Sequence, residues 1–184
     1  NPANAKLTVK EGIACLSGGD TLQIHAGTYD EALSYEEGVR FPSGTPSAHT
    51  YIQGYGSDVV TIKAPSASLG THVISVDGAA YLEFGNIIVD GNLVKPTGIA
   101  SQGPSHHNTY KNIEIKNVNR TGISMPQHDL VNDGNNFFSN IKIHDIPTNL
   151  VQIPQGGQGM YIQTNLNIVE YSEFYNVIGT GVSA

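Results

Sequence analysis

The chain has 184 residues, enough for one domain with its own core, and carries nine Lys and Arg against sixteen Asp and Glu, a formal charge of −7. So few cations argue against a nucleic-acid partner. No run is long and apolar enough for a membrane span, and a single cysteine, Cys15, forbids an internal disulfide. A charged fraction of only 14% with 21 glycines excludes a disordered or helix-rich chain and suits a turn-rich, all-β solenoid.

Residues 1–17 predict an N-terminal cap. A short helix is expected over Thr8–Leu16, with Thr8 as N-cap and Glu11 as its capping-box partner. Cys15, in this apolar stretch, is expected to be a buried small hydrophobe. After a turn at Gly18–Asp20, Thr21–His25 reads as a strand, Gly27–Tyr29 as a turn and Glu37–Phe41 as a second strand. Tyr51–Gly54, Val59–Lys63 and His72–Val76 are the next strands, separated by polar loops.

From Tyr81 the chain repeats itself. Tyr81–Gly91, Asn108–Asn117 and Asn136–Asp145 are versions of one phrase, in which an aromatic stands two places before an Asn and an alternating apolar run follows; Asn167–Asn176 is a looser copy. Asn86, Asn112, Asn140 and Tyr171 stand 26, 28 and 31 residues apart. A second, Gly-led phrase alternates with the first at Thr97–Ala100, Thr121–Ser124, Gln158–Tyr161 and Thr180–Ser183. Short period-2 runs are strands, and a period of this length means a stacked architecture. Asn tolerates the left-handed conformation and suits a sharp corner between two strands. Three short strands per coil predict a parallel β-helix of about six coils. Its core should include Leu82, Phe84, Ile87 and Val89, then Tyr110, Ile113 and Ile115, then Phe138, Ile141 and Ile143. Lys111, Lys116 and Lys142 should point outward.

These repeats, with Gly19–Glu31 and Thr50–Gly56, make the chain resemble the right-handed parallel β-helix proteins of the pectate lyase-like superfamily over nearly its whole length. The resemblance implies one domain over 1–184, with the cap at 1–17 and coils over 18–184. It also implies a secreted or cell-surface protein acting on a polysaccharide, as a lyase or a glycoside hydrolase, and a start at Asn1 without Met fits a mature exported chain. The alternative is a non-catalytic glycan-binding or structural module. The chain ends on the first strand of a fresh coil, so it is expected to be a fragment of a longer helix or to associate end to end, with Ile168, Val169, Phe174 and Val182 close to water.

Loop lengths vary most on either side of the Gly-led strands, and variable loops on one side mark a binding face. Gln102, His106, His107, Arg120, Gln127, His128, Asp129, Asp133 and Tyr161 gather there. His128 and Asp129 offer acid–base chemistry, and stacking of successive coils would set them beside His106 and His107. Arg120 is the cation placed to neutralise a uronate carboxylate as charge builds on it. The expected catalytic set is therefore Arg120, His128 and Asp129, with His106, His107, Gln127, Asp133 and Tyr161 binding substrate. Lys95, Lys111 and Arg40 are the other cations near plausible faces. No protein metal ligands are assigned; Ca²⁺ is a possible cofactor, on the strength of the resemblance and the turn Asp90-Gly91-Asn92. The paired-carboxylate signatures of the hydrolases and the Asp-Pro-His-Gly phrase of the epimerases on this fold are absent.

Overall fold

Asn86, Asn112 and Asn140 all sit in the left-handed region, with φ of 55°, 54° and 55°. Each bends the chain sharply between two strand segments, and the three stack in one corner. The Asn112 Nδ2 donates to Asn86 Oδ1 and the Asn140 Nδ2 to Asn112 Oδ1, both at 2.9 Å. The computed structural model, which describes residues 5–68, 70–129, 133–147 and 157–183, builds a parallel β-solenoid around this corner.

Face 1 stacks β1 (Thr21–Ile24), β3 (Thr50–Gly54), the leading halves of β6 (Leu82–Asp90), β8 (Thr109–Lys116) and β10 (Phe137–Ile146), and β12 (Ile168–Glu170). Face 2 stacks β2 (Gly27–Asp30), β4 (Val60–Lys63), the trailing halves of β6, β8 and β10, and β13 (Glu173–Val177). Face 3 stacks β5 (His72–Asp77), β7 (Thr97–Gln102), β9 (Thr121–Met125), β11 (Gly157–Ile162) and β14 (Gly179–Ser183). The chain makes about five turns, fewer than the six coils expected, because the opening coil has no named strand on face 3; Leu33 fills that place with a single bridge to Ile74.

All ten residues expected in the repeat core are at most 3% exposed. Phe84, Tyr110 and Phe138 stack face to face up the interior, 5.6 and 4.9 Å apart. On face 3, Ile74, Ile99, Ile123 and Met160 align rung by rung and close the core from the other side. The Gly-led phrase has a packing cause. A Cβ on Gly122 would lie 2.6 Å from both the Gly159 carbonyl oxygen and Ile143 Cγ2, and one on Gly98 would lie 2.5 Å from Ile115 Cγ2. Lys111 and Lys116 pair with Glu83 and Glu114 on the outer surface, and Lys142 is exposed, as the alternation requires.

Helix α1 (Val9–Ile13) covers the bottom, burying Val9, Gly12 and Ile13. Thr8 caps it by accepting from the Glu11 N–H, but the carboxylate at its start comes from Glu31, which takes the N–H groups of Val9 and Lys10 at 2.8 and 3.0 Å. Three expectations fail in this region. Cys15 is exposed, just past the end of the helix. Gly27–Tyr29 belongs to β2 instead of a turn, because pairing with β4 overrides the local turn signal. Glu37–Phe41 is no strand: Tyr35–Glu37 is a 3₁₀ turn ended by Gly38 at φ 80°. At the other end Ile168, Val169 and Val182 are 57%, 37% and 46% exposed, and Phe174 is partly buried, in line with expectation.

Candidate functional site

The outer surface of face 3 holds a cavity of about 340 Å³ at the leading ends of its strands. Its floor is one rung-aligned column, His72, Thr97, Thr121 and Gln158. Ser124 and Tyr161, aligned on neighbouring rungs, form one wall, and Arg120 stands on the rim. Arg120 is held by its backbone: its N–H donates to the Pro96 carbonyl at 2.9 Å and its own carbonyl accepts from Gln158 at 2.7 Å. The exposed guanidinium has no carboxylate partner among the described residues.

The other cations considered are committed elsewhere. Arg40 lies 3.5 Å over the Tyr35 ring and donates to the Val39 carbonyl. Lys111 pairs with Glu83 on face 1. Lys95 is buried, with Nζ donating to the Gly70 carbonyl at 2.8 Å, and burial pulls its ammonium below the usual value against the opposing Glu37 and Glu36. It ties the loop before β5 to the solenoid wall.

His72 also lines this cavity, which the strand reading hid, because it opens a strand and looks like part of the ladder. It is 8% exposed. The Glu36 Oε1 lies 3.3 Å from its Nδ1 and fixes the ring. Burial pulls the imidazole below its ordinary value, and the Glu36 charge opposes this only in part. Burial pushes the Glu36 carboxyl up, yet hydrogen bonding, first from its own backbone, together with His72 leaves it below the carboxylate norm. The cavity thus offers a neutral imidazole oriented by a carboxylate, a phenol, a hydroxyl and one unpaired cation. Among the described residues no carboxylate lines it.

The expected residues divide into two groups. Arg120 and Tyr161 share the cavity. Gln127, His128 and Asp129 follow β9, whereas Arg120 precedes it, so the strand holds the two sets on the order of 13 Å apart. The N–H groups of His128 and Asp129 both donate to the Asp133 Oδ2, so Asp133 is 2% exposed and acts as the clasp of its loop. His106 aligns with Gly134, so stacking does not bring it onto His128. His106 and His107 instead form a corner cluster with Tyr81. Their Nδ1 atoms are 2.8 Å apart, and His107 stacks on Tyr81 at 4.9 Å. Burial lowers the His106 value, followed by the neighbouring His107. The side chain of Gln102 and residues 130–132 and 148–156 lie outside the described part.

Among the described residues no group of three or more His, Cys, Asp or Glu side chains is arranged to hold a metal ion. Asp90 serves its turn: its Oδ1 accepts from the Asn92 N–H at 2.8 Å and from Asn117 Nδ2 at 3.1 Å. None of the described helices is long and apolar enough to cross a membrane. Comparison with known proteins finds no family model, no curated protein and no solved structure that matches the chain.

Proposed function

We propose that this protein is a secreted or cell-surface polysaccharide lyase that cleaves a uronate-containing polymer in the face 3 cavity. The observation that carries the reading is the placing of Arg120, His72 and Tyr161 around one cavity. Arg120 binds the uronate carboxylate and neutralises the charge that builds on it when the neighbouring proton leaves. Neutral His72, held by Glu36, takes that proton. The electron pair forms the new carbon–carbon double bond, the glycosidic carbon–oxygen bond breaks, and Tyr161 gives its proton to the departing oxygen. Thr97, Thr121 and Gln158 hydrogen-bond sugar hydroxyls along the floor. A hydrolase would need two carboxylates flanking the bond, and the described residues of the lining supply none.

The second reading is a glycan-binding module with no turnover, favoured by the exposed position of Arg120 at the rim. The two separate in one assay. Ultraviolet absorbance of unsaturated sugar ends, followed on a panel of uronate polymers with added Ca²⁺ and with EDTA, should rise for the lyase. Silence on every polymer, together with retained binding on a glycan array, establishes the module. Release of reducing sugar from neutral glycans with no absorbance change overturns both in favour of a hydrolase.

A further inference from the structure

The corner that organises the fold also shapes a trough. Outside the bend between faces 1 and 2 lies a cavity of about 490 Å³ that runs across successive coils from the Gly56–Val60 turn to Glu173. One wall is the amide ladder of Asn86, Asn112 and Asn140. The other is the rung-aligned column of Ile88, Glu114, Lys142 and Glu173. Below, the coil does not turn on a single Asn: the projecting turn Tyr55–Val59 forms a ledge that closes the lower end.

The ladder leaves polar capacity unused. Each amide carries two N–H groups and an oxygen with two lone pairs. Asn112 and Asn140 each spend one N–H on the ladder, and Tyr171, at the same corner one coil up, brings no amide to the Asn140 oxygen. Asn112 and Asn140 are exposed. The result is a row of donor–acceptor groups repeating about every 4.8 Å along the solenoid axis. Sugar hydroxyls, which also donate and accept, fit such a row. The apolar face of a pyranose ring has its own counterpart in Ile88 and in Val59, which is 66% exposed.

Charge selects the sugar class. Asp58 is taken by His25 and by the Ala26 N–H. Glu114 is taken by Lys116 at 2.8 Å and by His144 at 3.3 Å. The remaining charges of the lining, Lys142 and Glu173, are opposite and adjacent on neighbouring rungs, so they cancel. Unlike the face 3 cavity with its unpaired Arg120, the trough has no net cation to hold a uronate. We propose that it is a separate binding site for a neutral linear glycan lying along the axis, independent of the lyase reading.

The test is an amide-detected NMR titration of the full chain with cellohexaose, mannohexaose and xylohexaose, and with an oligogalacturonate as the charged control. The side-chain NH₂ signals of Asn112 and Asn140 should shift saturably with at least one neutral probe and not with the oligogalacturonate. The exposed pair substituted together, Lys142→Ala and Glu173→Ala, should weaken that binding about tenfold, a loss of about 1.4 kcal/mol, with the backbone spectrum otherwise intact. Arg120→Ala should leave it unchanged, which separates this site from the cavity on face 3. Neutral probes that leave the ladder signals unmoved at millimolar concentration overturn the proposal, as does a shift caused by the oligogalacturonate. Unchanged binding by the folded double variant overturns it too.

Discussion

The bend between faces 1 and 2 and the leading edge of face 3 are cut from the same repeat, yet they vary in opposite ways. Over the three coils of Asn86, Asn112 and Asn140 the bend admits one residue per coil and no insertion, so each of these coils adds the same amide at the same place. The leading edge of face 3 joins connections of unequal length, and each coil places a different side chain there: His72, Thr97, Arg120 with Thr121, then Gln158. A uniform side makes a periodic surface suited to a repeating ligand. A variable side makes one local cavity, because one coil supplies Arg120 and another His72. In a solenoid, then, regularity shows where the fold is held and irregularity shows where chemistry concentrates.

The largest expected effect comes from filling the glycine column that keeps face 3 against the core. Gly122→Val would drive side-chain atoms into the Gly159 carbonyl and Ile143, and should cost about 3 kcal/mol or more in chemical denaturation. A cost below about 1 kcal/mol would mean that the strands slide apart easily and that the cavity is not rigid. Arg120→Ala probes the same edge with the opposite signature: uronate turnover should fall by about 10²–10³-fold, as for loss of one charge-stabilising donor, with the melting temperature unchanged because the side chain is exposed.

On the uniform side the signature reverses again. Asn112→Ala removes the central amide and leaves Ala at φ 54°, so it should cost about 2 kcal/mol of stability while uronate turnover stays intact. Tyr110→Phe should stabilise by about 1 kcal/mol, because the Tyr110 hydroxyl is buried in the aromatic stack with no hydrogen-bond partner. The smallest effect is on pH dependence. Burial favours neutral His72, so the unfolded chain takes up a proton there first as pH falls. The stability this residue contributes is complete above the ordinary imidazole value near 6.5 and is lost as pH falls through the lower folded value. Turnover should follow the same direction, with its acid limb below pH 6.5, and Glu36→Gln should move that limb further toward acid by removing the opposing charge.

The repeat was legible because it is written in the residues that bear most on backbone and core: Asn at the bend, Gly where two coils nearly touch, and alternating Ile, Phe and Tyr inside. The inner amide chain at the third corner was written there too. Asn108 Oδ1 accepts from the Leu82 N–H, Asn136 Oδ1 from the Asn108 N–H and Asn167 Oδ1 from the Asn136 N–H. Each opens its phrase, but nothing in the spacing says that its side chain turns inward. The site was half legible. Tyr161 lies on a Gly-led strand and Arg120 directly before one, so both follow from the repeat alone. His72 was missed because its partner Glu36 sits 36 residues earlier, in a segment read as leading into a strand. His128 and Asp129 drew attention as a His-Asp pair, but adjacency in the chain fixes no geometry. Their backbone is spent on Asp133, a bond between side chain and loop that residue types alone do not reveal.

The most direct measurement is a crystal structure of the Tyr161→Phe variant, chosen to slow turnover, with an oligouronate bound. A uronate carboxylate is expected on the Arg120 guanidinium, with the neighbouring sugar carbon facing the His72 ring across the Thr97–Thr121–Gln158 floor. An oligouronate seated at the His128–Asp129 loop, or one whose carboxylate turns away from Arg120, would contradict it.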